Sequence, residues 1–188
     1  MKQDIIIKKS ILNHVKKFYS AIAETDANIN ELNKFLKILL KFQKKNKVHI
    51  FGNGGSASIA SHFSMDLTNN SKIKCFNYND PTIITCFAND FKFENWISRT
   101  INKYGEKGDL LITISSSGKS KNMLNAVKAA RKKKFYNVIT FTGFNKSNPL
   151  KSIGDVNLWI NSKEFNIIEN THQFWLLMMV DIIKKFTK

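Results

Sequence analysis

Hydrophobic positions along the chain change their spacing near residue 47. In the first part they recur every three, four or seven residues, which predicts two amphipathic helices. One covers 2–24, and the other starts after a cap at Asp26 or Asn28 and runs to about Lys45. The rest of the chain alternates short apolar runs with helical patterns, as in repeated strand–turn–helix units. The predicted strands are 47–52, 73–77, 109–115, 137–142 and 156–161, the predicted helices are 56–69, 93–103, 119–133 and 165–186, and Pro81 and Pro149 fall in loops.

Short apolar runs without alternation, such as 138–141, are typical of a parallel sheet that is buried on both faces. We therefore predict an α/β fold with a five-stranded parallel sheet. At 188 residues the chain fits one domain, 1–188, on the usual size of about 100–200 residues. The two helices that precede the first strand carry more apolar surface than one small sheet requires. We expect residues 1–46 to pack between subunits, with extra core as the alternative.

The net charge of +16 would suit a nucleic-acid partner. However, only Arg99 and Arg131 are arginines, and the lysines are scattered along the chain. Because arginine is preferred for bidentate contacts to phosphates and bases, we do not expect nucleic acid to be a partner. Cys75 and Cys86 have no metal-site spacing and are too few for a disulfide scaffold, and no apolar run approaches the roughly 20 residues that span a bilayer. We expect a cytoplasmic protein without membrane contact.

Two polar loops follow predicted strands at the start of predicted helices. The first is glycine-rich and contains Asn53, Gly54, Gly55 and Ser56, and the second is serine-rich and contains Ser115, Ser116, Ser117 and Ser120. Unpaired N–H groups and the helix dipole make such helix starts suitable for anions, so we favour phosphate binding over ordinary helix capping. The first loop lacks both the Gly-Lys-Ser/Thr ending of a P-loop and the glycine spacing of a dinucleotide-binding turn, so no nucleotide cofactor is predicted.

Two pairs of ionisable residues lie on predicted helices. His62 and Asp66 are four residues apart, and Glu169 and His172 are three apart in a strongly apolar segment. If the two helices face each other, the four side chains meet and suit a divalent metal such as Zn²⁺, or a general acid/base pair without metal. The alternatives are a surface hydrogen bond for the first pair and a buried histidine–carboxylate hydrogen bond for the second.

At these residues the sequence resembles the sugar-isomerase (SIS) domain family, and within it the phosphoheptose isomerases. The resemblance spans most of the chain in the right order, and the serine-rich loop after Gly108 is specific to SIS domains. The matching segments are 51–57, 62–68, 87–90, 108–120 and 168–172.

The resemblance implies a flavodoxin-like three-layer α/β/α sandwich and a homotetramer with active sites between subunits. It implies conversion of sedoheptulose 7-phosphate into D-glycero-D-manno-heptose 7-phosphate, the first step toward the heptose of bacterial surface polysaccharides such as lipopolysaccharide or capsule. In such a reaction a proton moves between C1 and C2 through a cis-enediol(ate). The family's substrate contacts fall on Asn53, Gly54, Gly55, Ser56, Asn89, Asp90, Ser115, Ser116, Ser117 and Ser120.

The departures from the family pattern fall on its catalytic set. The first metal-binding histidine is matched by His62, the catalytic glutamate by Asp66 and the glutamine ligand by Glu169, while the catalytic histidine falls on Leu177. We therefore expect Asp66 or Glu169 as the base. The sugar oxygens would be polarised by His172, or by Zn²⁺ held by His62, Asp66 and Glu169. The alternative is a non-catalytic SIS protein that binds sugar phosphates as a regulator or scaffold, like the family member that binds the bacterial replication initiator.

Overall fold

The computed structural model describes residues 2–42 and 45–186 and contains a five-stranded sheet in the order β2-β1-β3-β4-β5. All neighbouring strands pair in parallel. The strands are β1 (Lys47–Phe51), β2 (Lys74–Phe76), β3 (Leu110–Ser115), β4 (Asn137–Thr142) and β5 (Val156–Trp159). The predicted α/β fold class is confirmed, and every predicted strand is present with ends that shift by at most two residues.

Seven α-helices surround this sheet in the described ranges. They are α1 (Lys2–Ala23), α2 (Thr25–Leu40), α3 (Gly55–Asn70), α4 (Pro81–Phe91), α5 (Trp96–Tyr104), α6 (Lys121–Lys132) and α7 (Phe165–Phe186). Two short 3-10 helices, Phe93–Asn95 and Lys151–Ile153, complete the secondary structure. Helix α2 ends five residues before the predicted end at Lys45, and residues 43–44 of that prediction lie outside the described residues. No helix within these ranges is long and apolar enough to cross a membrane.

Two hydrophobic cores, one on each face of the sheet, give the molecule three layers. Because side chains alternate along a strand, Ile50 and Ile112 point to one face and Phe51 and Leu111 to the other. Helices α2, α3 and α7 cover the first face, and their largest buried side chain is Trp175. Helices α5 and α6 cover the second face.

The two N-terminal helices have different environments. Leu32, Phe35 and Leu39 of α2 are buried in the first core, so the alternative of extra core applies to this helix. Helix α1 contacts α2 and α7, but most of its large apolar side chains are at least half exposed. These uncovered residues are Ile5, Ile6, Ile7, Ile11, Leu12, Val15 and Tyr19.

Helix α4 was not predicted, and the assignment of Pro81 to a loop is wrong. Pro81 occupies the first helical position, where a missing N–H costs nothing because that N–H has no partner within the helix. Asp80 precedes it and caps the helix by accepting hydrogen bonds from Thr82 N and Ile83 N, at 2.7 and 3.1 Å. None of the residues of α4 is buried, which explains why its apolar pattern gave no clear stripe.

A buried polar cluster holds β1 beside β3 at the amino ends of the strands. The Asp109 carboxylate lies 2.8 Å from His49 Nε2 and accepts hydrogen bonds from the backbone N–H groups of Lys47 and Glu106, both at 2.9 Å. Both side chains of the His49–Asp109 pair are fully buried. This cluster fixes the register of the two strands whose opposite ends lead into the polar loops.

Candidate active site

The glycine-rich and serine-rich loops lie side by side at the carboxyl ends of adjacent strands. Strand β1 pairs with β3 directly, with Phe51 opposite Thr113. The side-chain amides of Asn53 and Asn122 bridge the loops with two hydrogen bonds, of 2.8 and 3.1 Å. Ligands of open parallel sheets bind at this edge, so the structure brings together the two loops that the sequence singles out.

Close approach of neighbouring groups explains two of the glycines in the first loop. A Cβ on Gly52 would lie 2.2 Å from Ser56 O, and a Cβ on Gly55 would lie 2.2 Å from Glu169 Oε2. Gly54, with a φ of 55°, has the left-handed backbone that lets the chain turn into α3. The loop therefore needs glycine both for its turn and for the space that the Glu169 carboxyl group fills.

The carboxyl group of Glu169 reaches from α7 to the N-terminus of α3. Partial burial raises the pKa of Glu169 above its usual value of 4.5, and the nearby Ser56 hydroxyl opposes this rise by favouring the ionised form. A carboxyl group with a raised pKa beside a ligand loop can remove and return protons near neutral pH. The structure thus places one of the two predicted bases directly at the first loop.

Hydroxyl groups of the second loop are organised around Gly118. Ser115 Oγ donates to Ser120 Oγ at 3.1 Å, and Ser117 Oγ accepts from the backbone N–H of Lys119 at 3.3 Å. Ser120 makes no capping hydrogen bond to α6, although it precedes that helix. Ser116 Oγ is buried without a hydrogen-bond partner in the described chain. A buried hydroxyl group of this kind is available to bind a ligand oxygen.

The connection between β4 and β5 packs against the serine-rich loop. Gly118 has a φ of 64° and packs so closely on Asn148 that a Cβ would lie 1.9 Å from Asn148 Oδ1. Its carbonyl oxygen accepts from Leu150 N, and the carbonyl of Ser116 accepts from Gly143 N, at 3.1 and 2.8 Å. These backbone contacts hold the serine hydroxyls in one arrangement.

The predicted set of two histidines and two carboxylates does not assemble within one chain. His62 Nε2 and Asp66 Oδ2 lie 3.2 Å apart on the exposed side of α3. Asp66 follows Gly55, the contact of Glu169, by eleven residues, which is about 16 Å along a helix. In the described ranges no group of three or more His, Cys, Asp or Glu side chains could hold a metal ion. Within one chain, His62 and Asp66 form a surface pair at ion-pair distance, which is closer to the alternative of a surface contact than to a metal site.

His172 does not face the loops, which corrects its predicted position beside Glu169. Its side chain is fully buried against Phe141 and Trp175, and its Nε2 lies 3.1 Å from the carbonyl oxygen of Thr142. Burial lowers the pKa of His172 to about 4, so the imidazole is neutral at pH 7 and donates this hydrogen bond. Its partner is a backbone carbonyl and not the carboxylate of Glu169. Within the described chain, the ring of His172 therefore contacts a backbone carbonyl and two aromatic rings.

Other site residues of the sequence prediction lie on exposed surfaces. Asn89 and Asp90, at the end of α4, are exposed, and Asn89 Nδ2 donates to Asp90 Oδ1 at 3.0 Å. Leu177 lines a shallow surface depression on α7 together with Gln173 and Asp181. These side chains share no hydrogen bond with either loop in the described chain.

A cavity of about 440 Å³ adjoins the first loop and is lined in part by residues that the sequence analysis missed. Asn53 and Gly54 form its rim, and Asn79, Phe93 and Trp96 form walls. Asn122, which bridges to Asn53, was also missed although its buried position had a signal. It precedes Ala126 by four residues and so places an amide on the apolar side of α6.

Comparisons with known proteins agree with this geometry. The family model described as SIS domain matches residues 12–143, which is more than half of the chain. The chain belongs to the SIS domain family. It is 32% identical to the phosphoheptose isomerases of Edwardsiella ictaluri and Escherichia coli over 194 aligned positions, covering 98% of this chain and 97–98% of theirs. Within the SIS family, the chain therefore groups with the phosphoheptose isomerases.

Solved structures of the same branch superpose on nearly the whole chain. The phosphoheptose isomerase of Neisseria gonorrhoeae has a TM-score of 0.87 at 27% identity and covers 95% of this chain and 99% of its own. That of Francisella tularensis has a TM-score of 0.86 at 26% identity and covers 94% and 97%. The sandwich architecture that the resemblance implied is therefore confirmed.

Proposed function

We propose that this protein is a phosphosugar ketose/aldose isomerase that converts sedoheptulose 7-phosphate into D-glycero-D-manno-heptose 7-phosphate. The observation that carries the proposal is the position of Glu169, whose carboxyl group lies against Gly55 beside two joined loops. A base next to a phosphate-binding loop is what such a reaction requires. The relationship to the phosphoheptose isomerases supports this choice of substrate.

In this proposal the serine-rich loop holds the phosphate group. Ser116 Oγ has no partner in the described chain, and the hydroxyl of Ser120 is not used for capping α6, so both can meet phosphate oxygens. Ser115 and Ser117 shape the loop through their hydrogen bonds. The first-turn N–H groups of α6 and the helix dipole favour the phosphate charge.

Glu169 would carry the proton between the two carbon atoms. Its carboxylate removes a proton from C1 of the ketose, and the electron pair of that C–H bond forms a C1–C2 double bond while the O2 carbonyl becomes an enediolate oxygen. The carboxylic acid then returns the proton to C2 while the proton of the C1 hydroxyl passes to the oxygen on C2, so that an aldehyde is left at C1 and a hydroxyl at C2. Backbone and side-chain donors of the first loop, Asn53 and Ser56 among them, would stabilise the enediolate oxygens.

The donors within the described part of one chain do not fit a zinc ion. His62 and Asp66 form a half-exposed pair, and Glu169 lies at the other end of α3, so these side chains do not converge. Zn²⁺ needs at least three converging protein ligands at a catalytic site. We therefore derive no step through a metal ion.

We also propose a homotetramer in which active sites lie between subunits. Helix α1 supports this, because its exposed apolar residues include Ile5, Leu12 and Val15. Contiguous apolar surface of this kind is usually covered by another protein surface. Residues 1–46 of the single SIS domain would then serve oligomerisation chiefly through α1. In such an assembly the exposed Asn89 and Asp90 would reach the substrate of a neighbouring site.

The product of the proposed reaction would supply the heptose of a bacterial surface polysaccharide. We place the reaction in the cytoplasm, and two free thiols support this compartment. Cys75 is buried, Cys86 is exposed, and neither is in a disulfide.

The test is incubation of the purified protein with sedoheptulose 7-phosphate in deuterated water, followed by NMR spectroscopy. We expect an aldoheptose phosphate that carries deuterium at C2, and at least a hundredfold slower reaction with Glu169→Gln, which keeps the shape of the side chain but cannot act as a base (order of magnitude for a general base). Parallel reactions with EDTA and with Zn²⁺ show whether a metal contributes. Saturable binding of the sugar without turnover would instead favour the non-catalytic regulatory or scaffolding protein.

A further inference from the structure

The side-chain amides of Asn53 and Asn122, which join the two loops, have a fixed polarity: in each amide it is settled which side holds the NH₂ group and which the oxygen. Asn53 Nδ2 donates to Asn122 Oδ1 at 3.1 Å, and Asn122 Nδ2 donates to Asn53 Oδ1 at 2.8 Å. Each amide thus uses one N–H and its carbonyl oxygen for the other. Asn122 is 2% exposed, so water does not compete for these hydrogen bonds.

The backbone of α6 sets this polarity. Asn122 Oδ1 also accepts a hydrogen bond from the N–H of Met123, at 3.1 Å. The Met123 N–H also donates to Ser120 O, at 3.1 Å, but it can only donate, so a flipped Asn122 amide would bring its NH₂ group against this N–H and the observed orientation is favoured. Because Asn122 is fixed in this way, Asn53 must also direct its oxygen toward Asn122.

One hydrogen of Asn53 Nδ2 remains after these contacts, and the residues that the structure describes offer it no acceptor. Asn53 lines the cavity of about 440 Å³ beside the first loop. We propose that Asn122 is a positioning residue that makes Asn53 present an N–H group, and not a carbonyl oxygen, to a substrate oxygen. This inference rests on the proposed isomerase function. The N–H stabilises an oxygen that becomes negatively charged in the enediolate, whereas a carbonyl oxygen would repel it.

Two substitutions of Asn122 separate this role from a merely structural one. In Asn122→Leu the polarity of Asn53 is no longer fixed, and we expect kcat to fall about 10- to 100-fold while KM changes less than about threefold. In Asn122→Asp the carboxylate still accepts from Met123 N and from Asn53 Nδ2, but it cannot donate to Asn53 Oδ1, so it fixes neither orientation of the Asn53 amide and we expect a similar fall in kcat. The added negative charge near the phosphate loop should raise KM about tenfold.

The matched control is Asn28→Leu, which removes a buried amide that joins α2 to β5. Asn28 Nδ2 donates to Trp159 O and its Oδ1 accepts from Trp159 N, at 3.2 and 3.3 Å. We expect this variant to lose stability but keep kcat and KM. An unchanged kcat in Asn122→Leu or in Asn122→Asp would overturn the inference, as would an equal loss of kcat in Asn28→Leu.

A second measurement tests the role of Asn122 by substrate binding alone and does not require catalysis. We expect the side-chain amide resonance of Asn53 in ¹H–¹⁵N spectra to move when sedoheptulose 7-phosphate binds the original protein or Asn28→Leu, but not Asn122→Leu or Asn122→Asp. Binding that leaves this resonance in place would overturn the role of Asn122 and leave the isomerase proposal intact. Absence of turnover with a moving resonance would overturn the isomerase proposal alone. Absence of sugar binding would overturn both.

Discussion

Replacement of Gly55 by alanine should move the carboxyl group of Glu169 without changing Glu169 itself. The new Cβ would lie 2.2 Å from Glu169 Oε2, and an ordinary contact begins at 3.4 Å, so the two groups must separate by about 1.2 Å (3.4 less 2.2). The backbone of Gly55 does not have a positive φ, and alanine favours a helix over glycine by roughly 0.5–1 kcal/mol. The variant should therefore fold. A displacement of about 1 Å at a reacting group can reduce the rate about a hundredfold, and we expect a loss of kcat on that order.

A double-mutant cycle shows whether the loss acts through Glu169. We expect Gly55→Ala to reduce kcat about a hundredfold in the original protein but less than about threefold in the Glu169→Ala background, where the clash is absent. The assay is the rate of aldoheptose phosphate formation, with thermal unfolding as the check on folding. Equal losses in the two backgrounds would refute the reasoning, because Gly55 would then matter for a contact of its own.

Three further predictions follow from the same structure. Burial raises the pKa of Glu169, so kcat/KM should rise with pH through a midpoint above the usual 4.5, and Glu169→Gln should lack this dependence in the pH–rate profile. Burial also lowers the pKa of His172 from 6.5 to about 4, so the unfolded chain takes up its proton first as the pH falls. His172 should therefore cost about 3 kcal/mol of stability between pH 6.5 and 4, a loss that denaturant titrations of His172→Gln should not show. Leu12→Glu in α1 should reduce the mass of the assembly in light scattering, and an unchanged mass would exclude this face from the interface.

The positions of the two loops could be predicted from the sequence, because in each case a run of glycine or serine residues directly follows an apolar strand pattern. That β1 lies next to β3 is a property of the whole sheet, and it depends in part on the buried His49–Asp109 pair. Helix α4 could not be predicted in the same way. Its apolar residues are not buried within one chain, so no single stripe separates a core side from a solvent side.

Spacing alone could not assign the roles of Glu169 and His172. Residues three apart on a helix share one side, and the sequence therefore suggested that both face the same partner. In the structure Glu169 lies against Gly55 at the first loop, while the fully buried His172 lies against the carbonyl oxygen of Thr142. These contacts depend on how the whole of α7 packs on the sheet and cannot be seen in the local pattern.

The position of Glu169 also bears on whether an isomerase could work with leucine at position 177. In a cis-enediolate the two carbons that exchange the proton present the same face, so one carboxylate beside that face can both remove and return it. Two tasks remain: the proton of the C1 hydroxyl must pass to the neighbouring oxygen on C2, and the charge on these oxygens must be stabilised. Hydrogen-bond donors can perform the second task. The Asn53 amide and the N-terminus of α3 lie at the same loop as Glu169 and can supply such donors. If Glu169 is the group that moves the proton between the carbons, His introduced by Leu177→His should leave the dependence on Glu169 unchanged. A Leu177→His variant that no longer needed Glu169 would contradict this account, because the introduced imidazole would then carry the proton by a second route.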